Sequence, residues 1–144
     1  MVFKAIQKKS PRFVIGLMSG TSCDGVDAVL VRLKGDGENL VMKLIAHETY
    51  PYTSNLRMQL LDTHMDTKEL CQLNFALGER LAEASEAMIA IAQEQNIKVD
   101  FIASHGHTAA HYPPMTNQNI GTMQIGEAAV IAERTGVHVV SDFR

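Results

Sequence analysis

Apolar and polar positions along the first fifty residues fall into three runs separated by turn-forming clusters. The first run, 13–18, is apolar and β-branched and breaks into a polar cluster, Ser19 to Gly25. The second, 26–34, ends at Gly35-Asp36-Gly37-Glu38-Asn39, and the third, 40–50, is stopped by Pro51. Runs of this length between Gly/Asp/Asn clusters predict strands. Because the turns are short, the three strands must be antiparallel neighbours. Beyond Pro51 the period changes. Ser54 fits the N-cap of a short helix reaching Asp62 and carrying Leu56, Leu60 and Leu61. Asp66 with Glu69 three residues on is a capping-box pattern that opens a long helix. Leu70, Leu73, Leu77, Leu81, Ala84, Met88 and Ile91 then recur at steps of three and four, a core-facing stripe with Glu79, Glu83, Glu86 and Glu94 off it. Gly78 inside the stripe predicts a close approach to a neighbour.

A short apolar run, 99–104, predicts a fourth strand, and a loop rich in Pro, Asn and Gly follows over 112–121. Gly126 leads into a helix carrying Ala128, Ala129, Ile131 and Ala132, with Gly136 just past its end. Residues 137–141 predict a fifth strand. Residues 1–12 read as a polar leader, frayed over 1–11. Strands reached through helical crossovers should be parallel to the first and connected right-handedly. The fold class is therefore α/β: a mixed five-stranded sheet, three antiparallel strands then parallel ones, with helices on its faces.

At 144 residues, with 46% hydrophobic and 20% charged positions, the chain fits one domain with a packed core. A net charge of −3 gives no basic footprint for nucleic acid. No window approaches the roughly 18 apolar residues of a membrane span, so no membrane association is expected. The basic amino-terminal stretch lacks the apolar core of a signal peptide. Cys23 and Cys71 stand alone, without metal spacing, and read as reduced thiols of a cytoplasmic protein.

The candidate chemistry starts in the first turn. Gly20 and Gly25 can adopt positive φ, which would turn backbone N–H groups into one concavity. Thr21 and Ser22 add hydroxyl donors, and Asp24 and Asp27 could hold a divalent cation. A phosphate cradle and an ordinary hairpin turn both fit these residues. A second cluster, Ser104-His105-Gly106-His107-Thr108, lies at the carboxyl end of the fourth strand, where open α/β sheets bind ligands. On an extended strand His105 and His107 would face one side, which could suit zinc. No Cys, Glu or Asp joins them before Glu127, and the same side chains are good donors to sugar hydroxyls. For His105 a buried ring satisfied by a backbone carbonyl also fits. For Gln124 and Glu127, so does capping of the following helix.

The run Gly16-x-Met18-Ser19-Gly20-Thr21-Ser22-x-Asp24-Gly25-x-Asp27 resembles the amino-terminal signature of the anhydro-N-acetylmuramic acid kinases, members of the sugar kinase/Hsp70/actin superfamily. Met18 stands where the wider superfamily has an aspartate, so any metal-facing carboxylate must be Asp24 or Asp27. Further motifs continue the resemblance: Ser104 to Thr108, Thr122-Met123-Gln124-Ile125-Gly126-Glu127, and Arg134-Thr135-Gly136 through Asp142-Phe143-Arg144. His107 replaces the family's usual Gln, and Ala110 stands where a large aromatic is common.

The resemblance implies a ribonuclease-H-like half-domain over 13–144, the amino-terminal actin-like half of a kinase whose second half-domain is missing here. It implies that Gly20, Thr21, Ser22, Cys23, Asp24, Gly25, Val26 and Asp27 form the ATP-binding loop, with Mg2+ on Asp24 and Asp27. It implies that His105, Gly106, His107, Thr108 and Gln124 bind a small amino-sugar substrate. The reaction implied is cleavage of the 1,6-anhydro ring with phosphorylation of O6, in peptidoglycan recycling. The catalytic base is expected beyond Arg144, so the chain should not catalyse alone, and an apolar face left by the missing half leaves room for a homodimer. Another sugar or carboxylate kinase of the same fold, or a non-catalytic sugar-binding half-domain, remains open.

Overall fold

The computed structural model describes residues 2–62, 64–114 and 120–144. Strands β1 (Arg12–Ser19), β2 (Gly25–Lys34) and β3 (Val41–Pro51) form the expected antiparallel meander. A single 3-10 turn at Gly37–Asn39 joins the last two. The stretch read as a leader contains a short helix, α1 (Val2–Lys8). Lys9 just beyond it pairs with Asp100 at 2.6 Å.

Helix α2 (Ser54–Leu61) is capped one residue earlier than expected, with the Thr53 hydroxyl accepting from Leu56 N at 3.3 Å. Helix α3 (Thr67–Glu94) opens on the expected capping box: Asp66 accepts from Lys68 N and Glu69 N, and Glu69 accepts from Asp66 N at 2.8 Å. Leu73, Leu77, Leu81, Ala84 and Met88 are buried along its inner stripe. They pack on the sheet face that carries Ile15, Leu17, Ala28, Leu30 and Ile102. Each fully buried Leu or Met contributes about 2 kcal/mol by removal of apolar area from water. The opposite sheet face leaves Met18, Met42 and Leu44 exposed.

Strand β4 (Phe101–Tyr112) runs parallel to β1 and is twice the expected length. Its second half pairs antiparallel with β5 (Gly121–Ile125), a strand that the sequence pattern did not reveal. Helix α4 (Ala128–Thr135) then returns to β6 (Val139–Val140), parallel to β4. Among the described residues the sheet therefore has six strands rather than five, ordered β3-β2-β1-β4-β5 with β6 also on β4. The reason is local: 121–125 offers only Met123 and Ile125 as apolar positions, too few to read as alternation. Of the loop expected over 112–121, positions 115–119 lie outside the described residues.

Helix α4 ends on Gly136 in the left-handed region, φ +65°, as a glycine past the helix end should. Gly78 also behaves as expected. A Cβ there would lie 3.0 Å from Glu127 O, so its absence lets the β5–α4 connection lie on α3.

Candidate active site

Because β1 and β4 are parallel, the loop after Ser19 and the cluster at 104–108 lie at the same end of the sheet. The loop is closed by Cys23 N donating to Gly20 O at 3.1 Å. The positive φ expected of Gly20 or Gly25 falls instead on Cys23, at +50°. A non-glycine residue in this region is strained by about 1 kcal/mol. Gly25 serves the close approach of β3: a Cβ there would meet Tyr50 O at 2.5 Å. Tyr52 N donates to Asp24 O at 3.0 Å and ties the loop to the same chain segment.

Of the eight residues expected to bind phosphate, Thr21, Ser22, Asp24 and Asp27 are exposed, whereas Cys23, Gly25 and Val26 are buried. The Ser22 hydroxyl donates to Asp24 at 2.7 Å. That bond first, with backbone N–H groups and the Arg57 charge, holds the Asp24 carboxyl below the usual range. Asp27 accepts from the Thr49 hydroxyl at 2.7 Å, with His47 Nε2 3.8 Å away. Burial pushes the Cys23 thiol up against the opposing pull of Arg57. Sequence reasoning passed over Arg57, an exposed cation near the loop; its signal would have been a lone base on the helix that follows β3.

A bulge organises the second cluster. Leu17 pairs with Ser104 but Ser19 pairs with His107, so β4 spends one extra residue. Gly106 carries it, with φ +68°, and a Cβ there would lie 2.2 Å from Ile125 O. The bulge undoes the alternation that would have set His105 and His107 side by side. His107 turns inward onto the face of Ser19 and is buried. His105 stays half-buried, its Nδ1 donating to Gly106 O at 3.3 Å and its ring 6.5 Å from that of Phe143. Among the described residues no group of three or more His, Cys, Asp or Glu is gathered to hold a metal. The strand-paired zinc site that the spacing could have suited is therefore not formed, because Gly106 breaks the register.

Three sequence-distant segments close an open pocket of about 370 Å3: Ser104-His105-Gly106, Gln124 to Ala128, and Ser141-Asp142. Asn74 of α3 completes its wall. Its side chain accepts from Gly126 N at 2.7 Å and donates to Glu127 at 3.1 Å. Glu127 also caps α4, accepting from Ala129 N at 3.1 Å. The Ser104 hydroxyl, buried in this wall, has no hydrogen-bond partner among the described residues. A second pocket of about 410 Å3 lies between residues 107–112 and a wall of Leu60, Asp62, Met65, Leu70 and Leu73, with polar and apolar groups mixed in its lining. Polar groups from three segments converge on the first pocket, which makes it the candidate binding site.

Of the five residues expected to bind substrate, the structure thus brings His105, Gly106 and Gln124 together. His107 and Thr108 line the second pocket instead. Thr108 is nevertheless linked across the hairpin, its hydroxyl accepting from Gln124 at 3.3 Å and from Arg144 at 3.1 Å. Asn74 and Ser104 complete the constellation. Asn74 escaped the sequence because its partners are fifty residues away, though its place one turn before Gly78 was a signal.

A family model described as anhydro-N-acetylmuramic acid kinase matches residues 12–144. A protein of that name from Caldanaerobacter subterraneus is 45% identical, covering 96% of this chain and 37% of its own length. Those from Acaryochloris marina and Clostridioides difficile are 43% and 38% identical, covering 91% and 92% of this chain and 35% and 36% of their own. The chain thus spans about a third of the length of the relatives it matches.

Proposed function

The chain belongs to the anhydro-N-acetylmuramic acid kinase family, and from that premise we propose that it supplies the amino-terminal half-domain of an ATP-dependent sugar kinase. The substrate is 1,6-anhydro-N-acetylmuramic acid, which is opened by water at the anomeric carbon and phosphorylated on O6, with release of ADP, in peptidoglycan recycling. The observation that carries this reading is the convergence of segments 104–106, 124–128 and 141–142 on one polar pocket. That pocket opens at the sheet end where loop 20–24 leaves β1.

Phosphoryl transfer needs positioning and charge neutralisation more than covalent chemistry from the protein. Gly20, Thr21 and Ser22 offer donors to phosphate oxygens at the loop surface. Mg2+ is commonly held by one or two carboxylates together with substrate phosphates. Asp24 fits that part: it is exposed and held ionised by Ser22. Asp27 is the second candidate, on the first exposed position of β2. When bound, Mg2+ would neutralise the charge of the transferring phosphoryl group. His105, Gln124 and the unpartnered Ser104 hydroxyl face the sugar side. We assign no catalytic base to the described residues. The lone thiols of Cys23 and Cys71 suit a reducing cytoplasm.

A chimera carrying residues 12–144 in place of the matching third of the Caldanaerobacter relative tests this reading. ADP release should depend on the anhydro sugar and should not appear with ordinary N-acetylmuramic acid. A folded chimera that releases no ADP with either sugar, beside an active parent, would contradict it.

A further inference from the structure

Beneath the exposed rim of the loop lies a polar cluster that no step of the proposed reaction uses. His107 is only 5% exposed, Ser19 3% and Cys23 2%. His107 Nδ1 lies 3.0 Å from the Ser19 hydroxyl, and Nε2 lies 4.0 Å from Cys23 Sγ. The Cys23 thiol donates to Thr21 O at 3.6 Å, inside the loop itself. Both ring nitrogens thus face the loop and its stem.

We infer that His107 is a positioning residue rather than a sugar contact: it is a strut that fixes loop 20–24 to the β4–β5 hairpin and so sets the distance between the phosphate loop and the sugar pocket. The proton count is consistent. With the thiol proton directed to Thr21 O, Cys23 Sγ is free to accept from Nε2–H. Nδ1 then accepts from the Ser19 hydroxyl. A neutral imidazole satisfies both bonds with its single proton, and burial favours that neutral form against the opposing pull of the Ser19 backbone. The Gly106 bulge is what delivers the ring to this place, since unbroken alternation would have left His107 on the other sheet face. A Gln at 107, with one donor and one acceptor on a flexible amide, can make the same pair of bonds; an Ala cannot.

The consequence for nucleotide binding rests on the reading of loop 20–24 as the phosphate loop, but the strut itself does not. Amide hydrogen exchange of the chain without any nucleotide therefore tests it separately. In His107→Ala, amides of residues 20–24 should exchange at least about tenfold faster than in the parent, with those of β2 unchanged. His107→Gln should restore exchange to within a few-fold, and adding Ser19→Ala to His107→Ala should produce no further gain. Unchanged exchange at 20–24, an equal rise across the whole sheet, or failure of Gln to rescue would overturn the inference. Should His107→Ala not fold, the ring nitrogen shifts of the parent decide. A ring locked in one tautomer supports the strut, and a ring exchanging freely between tautomers overturns it.

Discussion

The loop proposed to hold phosphate and the pocket proposed to hold the sugar lie at one end of the same sheet, yet they are built in opposite ways. The loop is local: its donors and carboxylate come from eight consecutive residues, and its internal bonds, Cys23 to Gly20 and Ser22 to Asp24, span two or three positions. The pocket is assembled from α3, the β4 bulge, the β5–α4 connection and the chain after β6, and its walls meet only once the fold has formed. Side chains on the exposed rim of the loop can be substituted without unfolding, because they contact little else. Assembled sites cannot, and in them a loss of function must be separated from a loss of fold.

Glycine substitutions should show the contrast most strongly. Gly106→Ala forces a Cβ to within 2.2 Å of Ile125 O at φ +68°. Urea denaturation should register a loss of about 3 kcal/mol or more. Gly20→Ala meets nothing nearer than 3.6 Å at an ordinary φ, so stability should change by less than about 1 kcal/mol. Equal losses in the two variants would erase the distinction.

Asn74→Ala comes next. It removes the acceptor of Gly126 N and a donor to Glu127, and should cost about 2 kcal/mol. Ser104→Ala should separate function from fold. The hydroxyl is buried without a partner, so its removal should leave stability unchanged or raise it by up to about 1 kcal/mol. Sugar affinity in the active chimera should fall about fivefold, the worth of one neutral hydrogen bond. A stability loss would show instead that the hydroxyl has a structural partner.

The smallest effect belongs to the loop. Ser22→Ala removes the main cause of the lowered Asp24 pKa, which should move up toward the ordinary carboxylate value of about 3.9 in an NMR titration. The sign follows from linkage. A carboxylate with a depressed folded pKa stabilises the fold above its unfolded pKa, and that contribution disappears as pH falls through the folded one. Ser22→Ala should therefore be slightly less stable than the parent above about pH 4, and the gap should close as pH falls below it.

The same contrast governs how much could be read from sequence. The meander, the capping box at Asp66, the buried stripe of α3 and the Gly136 terminus were legible because each is set by residues within a turn or two. The loop composition was legible too, although the strained φ sits on Cys23, where only the closed turn requires it. Strand β5 and the bulge were not. A glycine inside 101–112 signals a bulge only once that segment is known to be one strand, and β5 exists because β4 outlasts β1. The inward turn of His107, the wall made by Asn74 and the division of the expected sugar residues between two pockets all follow from that one shift of register.

The most direct test of the account is an NMR titration of the isotope-labelled chain with 1,6-anhydro-N-acetylmuramic acid. Amide shifts should move at 104–106, 124–128 and 141–142, with Asn74 following and β3 unaffected. A folded chain whose shifts move only around 107–112, or do not move at millimolar sugar, would contradict the assignment of the assembled pocket to the substrate.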